Sequence, residues 1–298
     1  MTVVVGAICE DGRSAVVAAD HLETSYTNLG IESGSKLVRI SDSVVVGCSY
    51  GTQIGINVTR KIRESLGAPA SDVNAVVAAV NSLYESEWRA GREAYLKKRL
   101  DTGYDGFRQL IVQANNVLLL EKILVDIEKS AAPGLEILVI GGDGMKMRLA
   151  LVLQDGPVFF DERGMAAVGS GGMYATISLV QRLHSPEATL ADTVFCVYEA
   201  KRAAEIVQTV GSKTDMFILQ MAHKARRLEE SAIAKLESMR KARSPRLTAT
   251  ETSELSALIM AADVAASPKD DPGVRPAASA PRVRSLHRRG RQRPNVDQ

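Results

Sequence analysis

The chemistry of this chain begins at its second residue. Met1 is followed by Thr2, and an initiator methionine is ordinarily removed when the next side chain is small. A chain that starts at Thr2 carries a hydroxyl and a free α-amine on one residue. That amine has a pKa of about 8, far below a lysine's, so one residue supplies both nucleophile and general base. Many proteins begin Met-Thr, so this alone assigns nothing. Other chemistries lack their residues. Gly141-Gly142-Asp143-Gly144 is no GxxxxGK[ST] loop, and Gly211-Ser212-Lys213-Thr214 is only a fragment of one. His21, His184, His223 and His287 show no HExxH spacing. Cys9, Cys48 and Cys196 form no CxxC pair. An odd count among apolar or small neighbours fits buried thiols in a reducing cytoplasm. No metal or cofactor is expected.

The elements that would hold Thr2 are legible. With 45% hydrophobic and 24% charged residues over 298 positions, the chain can build a sizeable core. Thr2–Ile8 and Ser14–Asp20 are β-branched or small and flank a Glu10-Asp11-Gly12 turn, which predicts a hairpin. Lys36–Ile40 alternates, and Val44–Cys48 reads as a buried strand. Helical patterns follow over 53–66 and, capped by Ser71-Asp72, over 73–100. Residues 101–133 have no clean period. Strands are expected at 135–140, 147–153, 157–160 and 165–168, with Gly141–Gly144 and Asp155-Gly156 as turns. Two helices (173–184, 189–207), a last strand (214–219) and a charged helix (222–243) complete the order. Strand runs alternating with helix pairs argue against parallel winding. They predict an α+β fold of two stacked antiparallel sheets with helix pairs on the outer faces.

Read along its length, the sequence resembles the proteasome β-subunit and bacterial HslV-like peptidase family of N-terminal nucleophile (Ntn) hydrolases. The residues that carry this are Thr2-Val3-Val4-Val5-Gly6, Asp11-Gly12, Val16–Asp20, Thr24, Ser35–Ile40, Val46-Gly47 with Gly51-Thr52, Ala167–Ala175 and Ala204-Glu205-Ile206. Sixteen residues separate Asp20 from Lys36, as in the family. The resemblance covers 2–60 and 135–220 well and 85–133 poorly. It implies a four-layer αββα sandwich and a threonine endopeptidase needing no cofactor. Thr2 would attack the peptide carbonyl, with its amine shuttling the proton. Lys36 would lower the hydroxyl's pKa, and Asp20 would hold Lys36. The Gly47 N–H would form the oxyanion hole. Ser170 would bond the amine, Glu205 would be the last active-site acid, and Thr24 would meet substrate backbone. The family also implies a homo-oligomeric ring acting on proteins or peptides, with any ATPase or unfoldase a separate protein.

Plain structural readings stand beside these roles. Asp20 could be a turn acid, Lys36 a solvated edge-strand lysine, Gly47 a packing glycine and Ser170 a helix N-cap. The sequence also departs from the family pattern. Glu205 stands where an Asp is usual, and Val3 where a second Thr is usual. Residues 85–133 are an insertion, and the C-terminal part runs past the usual end. An Ntn-fold amidase or an inactive ring subunit would share most of these residues.

The formal charge of +2 conceals an asymmetry. Residues 268–298 hold eight basic side chains against three acidic ones, a net of +5, leaving −3 for the rest. We expect a domain over 1–243 and an extension over 244–298. The extension would be disordered from 267, where large apolar residues are nearly absent. Its arginines could neutralise phosphates, but without aromatics for base stacking a nucleic-acid role is the weaker reading. No apolar run approaches the ~18 residues of a membrane span, and no signal peptide is evident. A cytoplasmic protein is expected.

Overall fold

A computed structural model of the chain describes residues 2–24, 30–32, 35–49, 60–62, 64–66, 72–113, 121–127, 135–221 and 223–243. The chain divides into two units, Met1–Arg243 and Ser244–Gln298. The second unit, which carries the basic tail, lies outside the described residues.

The N-terminal hairpin is formed by β1 (Val4–Cys9) and β2 (Ser14–Asp20), with Val4 opposite Ala19. β1 is flanked by β10 (Met165–Val168) and β2 by β11 (Thr214–Gln220), all antiparallel. A two-residue strand, β12 (Arg226–Arg227), closes this five-stranded sheet. The second sheet runs β5 (Leu37–Arg39), β6 (Val44–Cys48), β7 (Ile137–Gly142), β8 (Met147–Leu153) and β9 (Gly156–Phe159), again all antiparallel. A separate ribbon pairs β3 (Leu22–Thr24) with β4 (Gly30–Glu32).

Side-chain alternation joins the layers. On β1, Val4 and Ile8 meet Val45 of β6, Leu138 and Ile140 of β7 and Leu149 of β8 in a core between the sheets. The intervening Val3, Val5 and Ala7 face α3 (Gly172–Gln181) and α4 (Leu190–Ala204) through Ala175, Leu179, Phe195, Val197 and Ala204. Leu236 of α5 (Glu230–Ala242) joins the same cluster. On the other sheet, Val44, Val46, Ile137 and Val139 pack against Val73, Val76, Val77 and Val80 of α1 (Val73–Leu100). Strands buried on both faces need apolar residues at every position, which is why β1, β2, β6 and β7 are nearly unbroken apolar runs.

The Asp72 side chain caps α1, accepting from the Asn74 N–H at 3.0 Å. The stretch over 101–133 that lacked a period contains α2 (Tyr104–Gln113) and a helical piece over 121–127. Phe107 and Ile127 form a small core with Leu96 on the far half of α1. This satellite core explains the absent period, since each piece buries only a few residues.

Several boundaries differ from expectation. The final helix starts at Glu230 rather than 222, because Arg226 and Arg227 pair with Ile218 and Phe217. Gly141 and Gly142 belong to β7, and the turn falls on 143–146. The β3–β4 ribbon and β12 are too short to leave a periodic signal. The start of the helix expected from residue 53 lies outside the described residues. Among the described residues no helix is long and apolar enough to cross a membrane.

Candidate active site

Three of the expected residues meet at one carboxylate. Asp20 ends β2, directly across the hairpin from the segment leading into β1. Its N–H donates to Val3 O at 3.3 Å, so register alone brings residues 2 and 3 to it. The Thr2 hydroxyl donates to Asp20 Oδ1. The Val3 N–H donates to the same oxygen at 2.9 Å. Lys36, just before β5, reaches Oδ1 with its Nζ at 2.9 Å and also donates to Leu22 O at 2.6 Å. Asp20 Oδ2 accepts from the Leu22 N–H at 3.1 Å and the Gly211 N–H at 2.9 Å.

Five donors therefore converge on a carboxylate with 0% exposure, and Lys36 is 5% exposed. Burial by itself raises the Asp20 pKa. The Lys36 charge and the hydrogen bonds from Lys36, Thr2 and Gly211 outweigh it and hold the group below the ordinary carboxylate value. The plain reading of a solvated Lys36 does not describe this pair, while Asp20 does act as a turn acid as well, through its bond from the Leu22 N–H. A buried ion pair survives desolvation when further hydrogen bonds support it, and here Asp20 takes five donors while Lys36 also reaches Leu22 O.

The glycine-rich loop after β10 closes on the Thr2 backbone. Thr2 O accepts from the Gly171 N–H at 3.2 Å and from Ser170 Oγ at 3.4 Å. Gly169 has φ +88°, and a Cβ there would lie 2.3 Å from Thr2 O. Both features demand glycine. Ser170 therefore bonds the carbonyl of Thr2, while in a chain that keeps Met1 the Thr2 nitrogen is a peptide N–H. Ser170 Oγ also lies 3.2 Å from Thr209 Oγ1.

The other expected residues are placed as follows. Gly47 is an inner residue of β6, in register between Leu37 and Leu138, and the ladder alternation gives its N–H to Leu138, so it is not the free donor expected for an oxyanion hole. A Cβ on it would fall 2.5 Å from Val4 Cγ1, so its packing against β1 is visible directly. Thr24 lies in β3 opposite Gly30, with its side chain outside the described residues. Glu205 is the residue that ends α4, and it pairs with Lys201 Nζ at 2.6 Å and Arg202 Nη1 at 2.9 Å. Its links to Asp20 run through Lys201 and Gly211, and it makes no hydrogen bond with Thr2 among the described contacts.

Sequence reasoning missed Lys201, Gly211, Thr209 and Glu136. Glu136 Oε2 accepts from the Gly169 N–H at 2.7 Å, tying the start of β7 to the glycine loop. Lys201 had a usable signal: it falls on the apolar stripe of α4 with Val197, Ala200 and Ala204. Among the described residues no cluster of three or more His, Cys, Asp or Glu could hold a metal ion. No family model matches the chain. No curated protein matches it either.

Proposed function

We propose that the chain is an N-terminal threonine peptidase of the proteasome-like Ntn-hydrolase class, with the four-layer αββα arrangement of that class. One observation carries the reading: the Thr2 hydroxyl and the Lys36 ammonium share one oxygen of the buried Asp20. The Lys36 ammonium is held to the same oxygen as the Thr2 hydroxyl and would favour the alkoxide once that hydroxyl turns from Asp20. A carboxylate that pairs with that cation keeps it charged and in place.

Thr2 is 1% exposed in the chain that still carries Met1. Removal of Met1 frees the α-amine. In the reaction, Thr2 Oγ attacks the peptide carbonyl while its proton passes to the α-amine. The negative charge on the tetrahedral oxygen calls for an N–H donor, and because the Gly47 N–H is committed to Leu138 in the β6–β7 ladder, that donor comes from elsewhere. The amine returns the proton to the leaving nitrogen, and the C–N bond breaks to leave an ester on Thr2. Water, deprotonated by the same amine, cleaves that ester and restores the hydroxyl. Lys36 stabilises the oxyanionic forms of Thr2 throughout, and Ser170 and Gly171 fix the Thr2 backbone. Substrates are peptides or unfolded proteins. The catalytic chains assemble as a closed homo-oligomeric ring in the cytoplasm, and any unfoldase is a separate protein.

The test combines intact mass with hydrolysis of fluorogenic peptides. The purified protein should lack Met1. Thr2→Ala should lower turnover by about 10³-fold or more, and an electrophilic peptide aldehyde should protect only the Thr2 form. Full activity in Thr2→Ala, or an active protein that retains Met1, overturns the reading.

A further inference from the structure

Lys201 lies in the last turn of α4, and its side chain is 0% exposed. A lysine so deeply buried needs a partner for each of its three N–H groups. It has them. Nζ donates to Glu205 Oε1 at 2.6 Å, Gly211 O at 2.8 Å and Ser212 O at 2.9 Å. The two carbonyls belong to the loop between α4 and β11. Gly211 is thereby held from both ends, its carbonyl on Lys201 and its N–H on Asp20 Oδ2 at 2.9 Å. The fit is close, since a Cβ at Gly211 would lie 2.6 Å from Leu22 Cβ. Leu22 is the other donor to Oδ2. Ser212 O has a second donor in Arg202 Nη1 at 3.1 Å.

We propose that Lys201 is a positioning residue: its ammonium, balanced by Glu205, straps the α4–β11 loop so that the Gly211 N–H stays on Asp20. Asp20 in turn orients Lys36 and Thr2. This rests on the peptidase reading and extends it by one layer. It also gives Glu205 a role different from an acid at Thr2, that of counter-ion to the strap. The charged groups around Asp20 are Lys36 from the lead-in to β5 and Lys201 from α4, with Glu205 and Arg202 beyond Lys201. Loss of the Gly211 donor removes one of the bonds that favour the ionised Asp20, so its pKa rises.

The experiment uses the full chain and two variants, Lys201→Met and Lys201→Met/Glu205→Leu. The double variant removes both buried charges together, a replacement that buried ion pairs commonly tolerate. It keeps the test valid where the single variant does not fold. Peptide kcat and KM are measured across pH, and backbone hydrogen exchange is followed at residues 209–213. The expected result in both variants is a kcat about tenfold lower, the effect of one hydrogen bond to a charged group. KM should stay within about twofold, the acid limb should move to higher pH, and exchange at Gly211 should quicken. A control, Lys224→Gln, removes the exposed pair with Asp42 and should change none of these. A double variant with normal kcat, acid limb and Gly211 protection overturns the proposal and leaves the pair purely structural. If the wild-type chain hydrolyses nothing, the peptidase reading fails separately. Gly211 exchange then decides the strap by itself: unchanged protection in the variants overturns it, and lost protection supports it.

Discussion

Asp20 is the residue on which the site depends. Its two oxygens take all five donors described above, and the Lys36 ammonium beside it is buried. Asp20→Ala leaves that cation without its carboxylate, a change that costs roughly 3–5 kcal/mol for buried pairs. Asp20→Asn keeps one accepting oxygen but turns an NH2 toward N–H donors and still leaves Lys36 without a counter-charge, so it should lose stability as well as turnover. The pH dependence follows from the direction of the shift. The folded pKa lies below the unfolded value of about 3.9. Asp20 therefore adds stability above about pH 4, and this is lost as pH falls through the lower folded value. Denaturant melts between pH 7 and pH 2 should show a shallower acid loss in Asp20→Asn than in wild type; identical slopes would count against the ion pair. Lys36 and Asp20 were legible through their sixteen-residue spacing and the resemblance. Their burial was not, because a Lys before a short strand and an Asp at a strand end read equally well as solvated groups.

At the scale of elements, the site depends on how closely two sheets approach. Gly47 on β6 faces Val4 on β1, with only 2.5 Å between a notional Cβ and Val4 Cγ1. Gly47→Ala keeps the ladder N–H that pairs with Leu138 yet forces the sheets or Val4 to shift. Such overpacking costs about 1–3 kcal/mol. Val4 is two residues from Thr2, so the variant should lose both thermal stability and turnover. A variant with wild-type stability would show that the sheets yield without cost. The α4 helix shows the limits of pattern reading. Its cap, with Thr189 Oγ1 accepting from the Asp192 N–H at 3.2 Å, follows from sequence. Lys201-Arg202 in its last turn is a basic pair of the kind a helix dipole favours, and packing turns Lys201 inward. The same holds for β12. Arg226-Arg227 sits in a charged stretch that reads as helix, but Arg227 Nε bonds Asp215 Oδ1 at 2.6 Å and the pair becomes an edge strand.

Across the whole molecule, every residue of the candidate site falls within Met1–Arg243. A chain ending at Arg243 should therefore fold, melt within a few degrees of the full chain and keep its peptide hydrolysis. Failure to fold would assign the extension a structural role. The +5 net charge of residues 268–298 should change retention on DNA at low salt only, without altering catalysis. In the native state the mass should be a multiple of the 32.0 kDa chain, since an enclosed site requires copies to close it. A monomer with full activity would remove the ring from the proposal.

Some of this protein was determined by sequence alone. The hairpin, the buried strands and the caps of α1 and α4 depend on local propensity, side-chain alternation and short-range hydrogen bonds. All of these are written within a dozen residues. The convergence on Asp20 is of another kind. It needs Lys36 from sixteen residues away and Gly211 from the far end of the domain, and Lys201 acts on it through a carbonyl. Such contacts have no period to reveal them. They exist only because two sheets and a helix pack tightly enough to exclude water and leave each buried charge to its protein partners.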